Sequence, residues 1–374
     1  MTRIMAEDLA ASPSCRVLLM APNWLGDTIM MAPLIEYLHR RRHLPDGRVL
    51  RLELGVRSAW APLFAADPRL ADLLTVDRGG RHGGPLGSWR LGRDLAAREP
   101  LAVVLGPPSL RFGLAAFFSG ARHRVGYRSD RRGWLLTRGL PVLPRGTRHH
   151  GRELLELGPA LLSALLPERD DPRDNPDETR PEVTLPGCDG IAPHPAARKG
   201  EYWVLAPGAT YGSAKSWPLD RATELAREVL ATGRTRLVLL GDAAATEFTQ
   251  ALAANLDRQA ARDLESDASL VDLAGRTDLR AVVAVLKGCR LFVGNDSGLM
   301  HLAGALQRPT IGIFGSSNPH WTHPLGRRTR VLTPEDFSCR PCYRKTCNQP
   351  RFCLETVQAT EVLAVAHALL EGKD

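Results

Sequence analysis

Arg290–Gly315 reads RLFVGNDSGLMHLAGALQRPTIGIFG, and its pattern decides the fold class of the region around it. Leu291–Val293 is a short apolar run that breaks at Gly294. Asn295, Asp296 and Ser297 follow, all of them residue types that cap helix N-termini. Apolar spacing then predicts a helix from Gly298 to Leu306, and after Pro309 a second apolar strand over Thr310–Phe314. Strand, loop, helix, strand is half of a βαβ motif. At its loop Gly298 has no side chain, free backbone N–H groups converge, and the positive end of the helix dipole points outward. Such a place suits a phosphate or diphosphate. Any capped helix of an α/β domain shares this local pattern, so the rest of the chain has to decide.

Working outward, the same alternation recurs on both sides. Strands are predicted at Tyr202–Ala206, Arg236–Leu240 and Val271–Leu273, with helices at Asp220–Thr232, Ala243–Asn255 and Leu279–Lys287. Earlier in the chain, Arg16–Met20, Val49–Leu54, Leu73–Val76 and Leu101–Leu105 read as strands. Helices at Thr28–Arg41, Leu91–Arg98 and Leu110–Ser119 separate most of them. Buried-type strands alternating with helices imply a parallel sheet covered on both faces. Pro167–Gly200 is rich in Pro, Asp, Arg and Glu, interrupts every periodicity and reads as a linker, with a strand expected near Glu182–Leu185. The fold expected is α/β, two Rossmann-like domains with a cleft between them, the first over 1–180 and the second over 181–355. Thr360–Leu370, within a last segment 356–374, is an amphipathic helix.

Composition narrows the function classes. With 374 residues, 44% of them hydrophobic and 24% charged, the chain is ordinary for a soluble globular protein of two domains. No apolar run reaches the ~18–20 residues that span a bilayer. Met1–Ser14 contains Glu7 and Asp8 and lacks a signal-peptide core, so a cytoplasmic location is expected. The net charge of +8 invites an anionic partner. Because the arginines are spread over the whole chain, nucleic acid is disfavoured against an anionic substrate or the inner membrane surface.

The loops after the strands hold the chemistry. Pro207–Pro218, PGATYGSAKSWP, combines small residues that let a ligand approach the backbone with Lys215, a point charge suited to phosphate. Asp27 starts the first helix, where a helix cap alone would explain it. Arg122, His123, Arg124, Arg128, Arg131 and Arg132 form a basic run, either an electropositive wall or a solvated surface.

Five blocks now share one resemblance: PNWLGDTIMMAPLIEYL, PPSLRFGLAAFFSGARHRVGYRSDRRGWLLT, PGATYGSAKSWP, NDSGLMHLAGALQRPTIGIFGSSNPHWTHP and FSCRPCYRKTCNQPRFC. In this order, from Pro22 to Cys353, they resemble glycosyltransferase family 9, the lipopolysaccharide heptosyltransferases, and the last block points to the heptosyltransferase II branch. The resemblance implies a GT-B fold, an acceptor-binding N-terminal domain, a nucleotide-sugar domain and a C-terminal helix that packs back on the N-domain. It implies inverting transfer of L-glycero-D-manno-heptose from an ADP-heptose donor to the lipopolysaccharide inner core, with no metal or other cofactor required. Asp27 then matches the general base, which takes the acceptor hydroxyl's proton as the bond forms. Lys215 matches the phosphate contact that offsets charge on departing ADP. Asp296, Ser297, Gly298, Leu299 and His301 match the donor motif, and Arg111, Arg128 and Arg131 make a landing surface for an anionic acceptor at the cytoplasmic face of the inner membrane.

Cys339, Cys342, Cys347 and Cys353 have ligand-like spacing for a structural zinc. The resembled family needs none, and packing as small hydrophobes is the preferred reading. An oxidoreductase would need G-x-G-x-x-G after a strand, which neither site loop supplies. A catalytically silent binding protein of the same fold is a further reading, against which the presence of both Asp27 and Lys215 weighs. The remaining alternative is a family 9 transferase with a different nucleotide sugar or a non-lipopolysaccharide acceptor.

Overall fold

The computed structural model describes residues 14–166, 183–194, 202–208, 211–260, 270–335 and 337–372. The chain divides into two compact units, Met1–Cys188 and Asp189–Asp374. In the first, β1 (Ser14–Met20) leads through α1 (Leu25–Met30) and α2 (Ala32–Arg40) to β2 (Val49–Arg57) and β3 (Asp72–Val76). Helix α3 (Gly87–Ala96), β4 (Ala102–Leu105), α4 (Leu110–Phe118), β5 (His123–Tyr127) and β6 (Arg138–Leu140) follow, then α5 (His150–Leu155) and α6 (Leu157–Leu165). All six strands pair in parallel, in the order β3-β2-β1-β4-β5-β6. That order reverses direction between β1 and β4, where loops leaving neighbouring strands part and open a crevice. Met20, the last residue of β1, pairs with Leu105, the last of β4, so both loops start level.

The helices cover the sheet because their apolar stripes have nowhere else to go. Leu91 and Leu95 of α3 and Phe112, Ala115 and Ala116 of α4 pack on Leu18, Met20, Val103 and Leu105. The single helix expected over Thr28–Arg41 breaks at Met31, with Pro33 in the first turn of α2. Val183–Leu185 is not among the strands of either sheet, and Glu182 lies outside the described residues. Val183, Leu185 and Cys188 are buried, and Arg69 donates to Thr184, so this stretch belongs to the first unit rather than opening the second. Arg69 itself is buried, clamped by Asp67 and Glu36. Its partners satisfy a charge that would otherwise be strongly unfavourable to bury.

The second unit repeats the plan. It contains β7 (Tyr202–Ala206), α7 (Leu219–Ala231), β8 (Arg236–Leu239), α8 (Thr246–Ala260), β9 (Leu270–Asp272) and α9 (Leu279–Gly288). Then come β10 (Leu291–Asn295), α10 (Gly298–Ala305), β11 (Thr310–Ile313), α11 (Pro319–Thr322), β12 (Thr329–Leu332) and α12 (Ala359–Glu371). The parallel order is β12-β11-β10-β7-β8-β9, with its reversal between β7 and β10. The strand–loop–helix–strand reading of Arg290–Gly315 is therefore correct, and β10 and β11 are neighbours.

Val362, Ala366 and Leu369 of α12 are buried in one cluster with Leu225, Ala226 and Val229 of α7, so α12 completes the core of the second unit. The reason is a stripe of apolar residues at helical spacing that packs on α7 and on β11 and β12. Leu369→Ala is expected to lower unfolding free energy by about 2–4 kcal/mol. Urea denaturation checks this, and an unchanged midpoint would place the helix outside the core.

Candidate functional site

The second unit brings its candidate residues together at the strand-order reversal. Lys215 ends a short 3-10 turn after β7, and Asp296 follows β10 next door. Lys215 Nζ donates to Asp296 Oδ2 at 2.5 Å, with both side chains largely buried. The other carboxylate oxygen, Oδ1, lies 3.9 Å from Nε2 of the buried His301. Asp296 is thus not the cap of α10. That position is held by Ser297, in extended backbone conformation and without a side-chain cap bond. The N–H groups of the first turn of α10 therefore need a partner from outside the helix. The hydroxyls of Ser297 and of Ser316 and Ser317, beyond β11, are buried without a protein hydrogen bond. Each such orphan costs about 1–3 kcal/mol unless a polar ligand satisfies it.

Asn295, which the sequence offered only as a cap, organises the pair of loops. It is fully buried; its Oδ1 accepts from Trp217 N at 3.2 Å, and its Nδ2 donates to Pro207 O. Trp217, also buried, donates from Nε1 to Val357 O. The loop carrying Lys215 is therefore anchored at both ends, while 209–210 lies outside the described residues.

The Cys-rich segment forms a wall of the same site. Arg340 donates to the carbonyls of Phe314 and Gly315, Tyr343 N donates to Ser316 O, and Ala214 N donates to Lys345 O. Gly212 sits at φ +153°, and a Cβ there would fall 2.3 Å from Lys345 O, so only glycine allows this approach. Lys215 and Lys345 flank the Tyr211 ring, with Nζ 5.1 Å and 5.9 Å from its centroid. Lys345 is a second cation at the site that loop spacing alone could not reveal, since only the folded segment brings it back. Cys339, Cys342, Cys347 and Cys353 line one pocket with Arg340, Ala214 and Ser316. Cys353 is buried, and its thiol is pushed up by that burial; among the described residues no three His, Cys, Asp or Glu side chains stand ready for a metal ion.

In the first unit the candidates cluster at the corresponding reversal. Asp27 lies in the first turn of α1, after β1, and Trp24 rather than Asp27 is the N-cap. Thr28 Oγ1 donates to the carbonyls of Pro22 and Trp24, and Trp60 Nε1 donates to Asn23 O, which hold that loop in place. Arg111 lies in the first turn of α4, after β4, with its Nη2 buried and without a hydrogen-bond partner. Desolvation and the neighbouring Arg78 hold its pKa below the usual arginine value. Arg128 and Arg131 follow β5 and are exposed. Asp130 Oδ2 accepts from Leu110 N at 2.6 Å and ties their turn to the start of α4.

The basic run thus separates into two kinds. Arg132 is fully buried and donates to the carbonyls of Tyr127, Pro107 and Ser109, with burial pulling its pKa down to about 10. Arg124 donates to Leu135 O and Ala121 O. These two shape the loops, whereas Arg128 and Arg131 are exposed.

Comparisons with known proteins bear on the family and on the fold. The profile of glycosyltransferase family 9 (heptosyltransferase) matches residues 88–352. Lipopolysaccharide heptosyltransferase 2 of Escherichia coli K12 is 29% identical over 327 residues, 85% of this chain and 87% of that protein. Lipooligosaccharide heptosyltransferase 2 of Haemophilus influenzae is 29% identical over 84% of this chain and 88% of its own length. The structure of E. coli ADP-heptose lps heptosyltransferase II shares the fold with TM-score 0.70 and 24% identity, over 96% of this chain and 99% of that one. The crystal structure of a family 9 glycosyl transferase from Veillonella parvula has TM-score 0.74 and 19% identity, over 96% and 98%.

Gly212→Ala is expected to weaken binding of a nucleoside diphosphate by at least about tenfold, because the loop must move off Lys345 and carry Lys215 with it. Isothermal titration against a matched thermal melt checks this. Unchanged affinity would mean that the Cys-rich segment does not set the position of Lys215.

Proposed function

The chain belongs to glycosyltransferase family 9, and from that premise we propose that it moves L-glycero-D-manno-heptose from ADP-heptose to the lipopolysaccharide inner core, as a heptosyltransferase of the second type. The observation that carries the reading is the bond of Lys215 to Asp296, just ahead of the N-terminus of α10, at the reversal of the second sheet. Cation and amide dipoles converge there on the space a diphosphate would take. The names of the similar proteins, both of them heptosyltransferases 2, support the donor and acceptor classes.

The chemistry follows from the groups present. An acceptor hydroxyl attacks the anomeric carbon as the bond from that carbon to the ADP phosphate oxygen breaks, with inversion. Asp27 takes the hydroxyl proton, which makes the oxygen a competent nucleophile near neutral pH. Negative charge grows on the leaving diphosphate, where Lys215 and the N–H groups of Ser297, Gly298 and Leu299 stabilise it. Asp296 orients Lys215 and, with His301, faces the sugar. Because the protein supplies this positive charge itself, the reading calls for no metal and no other cofactor. The four cysteines beside the donor site, of which only Cys353 is buried while Cys339 and Cys347 are exposed, hold no zinc in this reading. Arg111, Arg128 and Arg131 receive the phosphorylated acceptor, which brings the enzyme to the cytoplasmic face of the inner membrane as a peripheral protein.

One assay tests the assignment. Purified enzyme offered a panel of nucleotide sugars with inner-core acceptor is expected to release ADP from ADP-heptose and little diphosphate from the others. Asp27→Asn should cut turnover to below about a tenth of wild type while leaving donor affinity intact. Arg128→Gln/Arg131→Gln should raise KM for the acceptor alone. Preference for another nucleotide sugar would overturn the donor, retained turnover in Asp27→Asn the base, and an unmoved acceptor KM the landing surface.

A further inference from the structure

Among the described residues of the first unit, the exposed Trp24 and Val142 stand apart, whereas five other exposed large apolar side chains are grouped. Leu86 caps α3, Trp89 lies on α3, Phe117 and Phe118 lie on α4, and Trp134, 71% exposed, lies on the turn that packs against α4. The two helices approach closely because Gly92 has no side chain: a Cβ there would lie 2.4 Å from that of Phe118. Trp89, three residues before Gly92, shares its side of α3. The Phe117 ring stands 5.9 Å from Phe118 and 6.4 Å from Trp134, centroid to centroid. Arginines rim these rings. Arg93 lies 5.6 Å over Trp89, and Arg90 and Arg122 are exposed nearby in the chain; Arg124, 5.7 Å over Phe117, donates to backbone carbonyls and braces that ring from the protein side. Asp94 does not cancel them, since Arg81 and His82 both engage it.

We propose that this aromatic and arginine face of α3 and α4 docks the protein on an anionic lipid bilayer. Indole and phenyl rings settle at the headgroup level, and arginines pair with lipid phosphates there. Charge favours a bilayer over a second copy of this chain. A two-fold contact would set the same arginine rim against itself. The placement also suits the reaction, and this part rests on the acceptor reading given above. Helix α4 carries Arg111 in its first turn and Phe117 and Phe118 at its end, about 10 Å apart along the helix axis. An acceptor whose lipid stays in the membrane could then present its phosphorylated head at Arg111 without leaving the bilayer.

Vesicle flotation of the full chain, without donor or acceptor, tests the surface. The wild type is expected to float with phosphatidylcholine vesicles containing about a third phosphatidylglycerol, to stay behind with phosphatidylcholine alone, and to release in high salt. Phe117→Ser/Trp134→Ser should bind the anionic vesicles at least about tenfold more weakly. The single Trp134→Ser, at a freely exposed position, gives the same sign if the double variant misfolds. On a deacylated, soluble acceptor the variants should turn over as the wild type does. Equal flotation of wild type and variants, or none by the wild type, overturns the proposal. So does a wild-type dimer that the substitutions dissolve, which would assign the face to a second copy. If flotation behaves as expected but no heptose is transferred, the surface stands and the enzymatic reading falls.

Discussion

The buried side-chain amide of Asn295 is the constraint on which the donor half depends. A carboxamide at the end of β10 has one strong acceptor and two donors, and burial requires that they be used. It uses them on the two ends of the neighbouring loop, Pro207 O and Trp217 N. Lys215 is held between those ends and delivered to Asp296 on the residue after the amide. Replacing that side chain by an apolar one would leave two buried backbone groups unsatisfied and free the loop at once. The Cys-rich segment then closes over the anchored loop through Arg340, Tyr343 and the backbone of Lys345.

Both units place their chemistry by the same rule. Each sheet runs in one order on one side of its first strand and in the other on the far side, and side chains after the two central strands share the resulting crevice. In the first unit these are Asp27 and Arg111, with Arg128 and Arg131 one strand further out. In the second they are Lys215 and the Asp296–His301 segment. A carboxylate and arginines in one unit, a lysine and a helix N-terminus in the other, is a division suited to deprotonating an acceptor and holding a departing anion.

Legibility varied with how local the cause was. The strands around Leu18, Val103, Leu205 and Val293 were plain because full burial on two faces demands continuous apolar runs. The strand β5 was hidden inside a run of basic residues, since Arg124 spends its charge on backbone carbonyls rather than on solvent. No local pattern distinguishes Arg132, which is entirely inside the protein, from Arg131, which is exposed beside it. Ser316, Ser317 and Lys345 escaped for a similar reason: each owes its place to a segment distant in the chain.

By itself the sequence determined the two α/β units, the loops that carry the chemistry and the family to which the chain belongs. Periodicity, helix caps and glycine positions act over a few residues and can be read along the chain. Tertiary structure alone decided which charges are buried on protein partners and which stay exposed, that Asp296 pairs with Lys215 instead of capping α10, and that α12 completes the second core. Those outcomes depend on burial and on partners some tens to over a hundred residues away. Burial is a property of the packed chain, because the same side chain is solvated or desolvated only according to what folds over it.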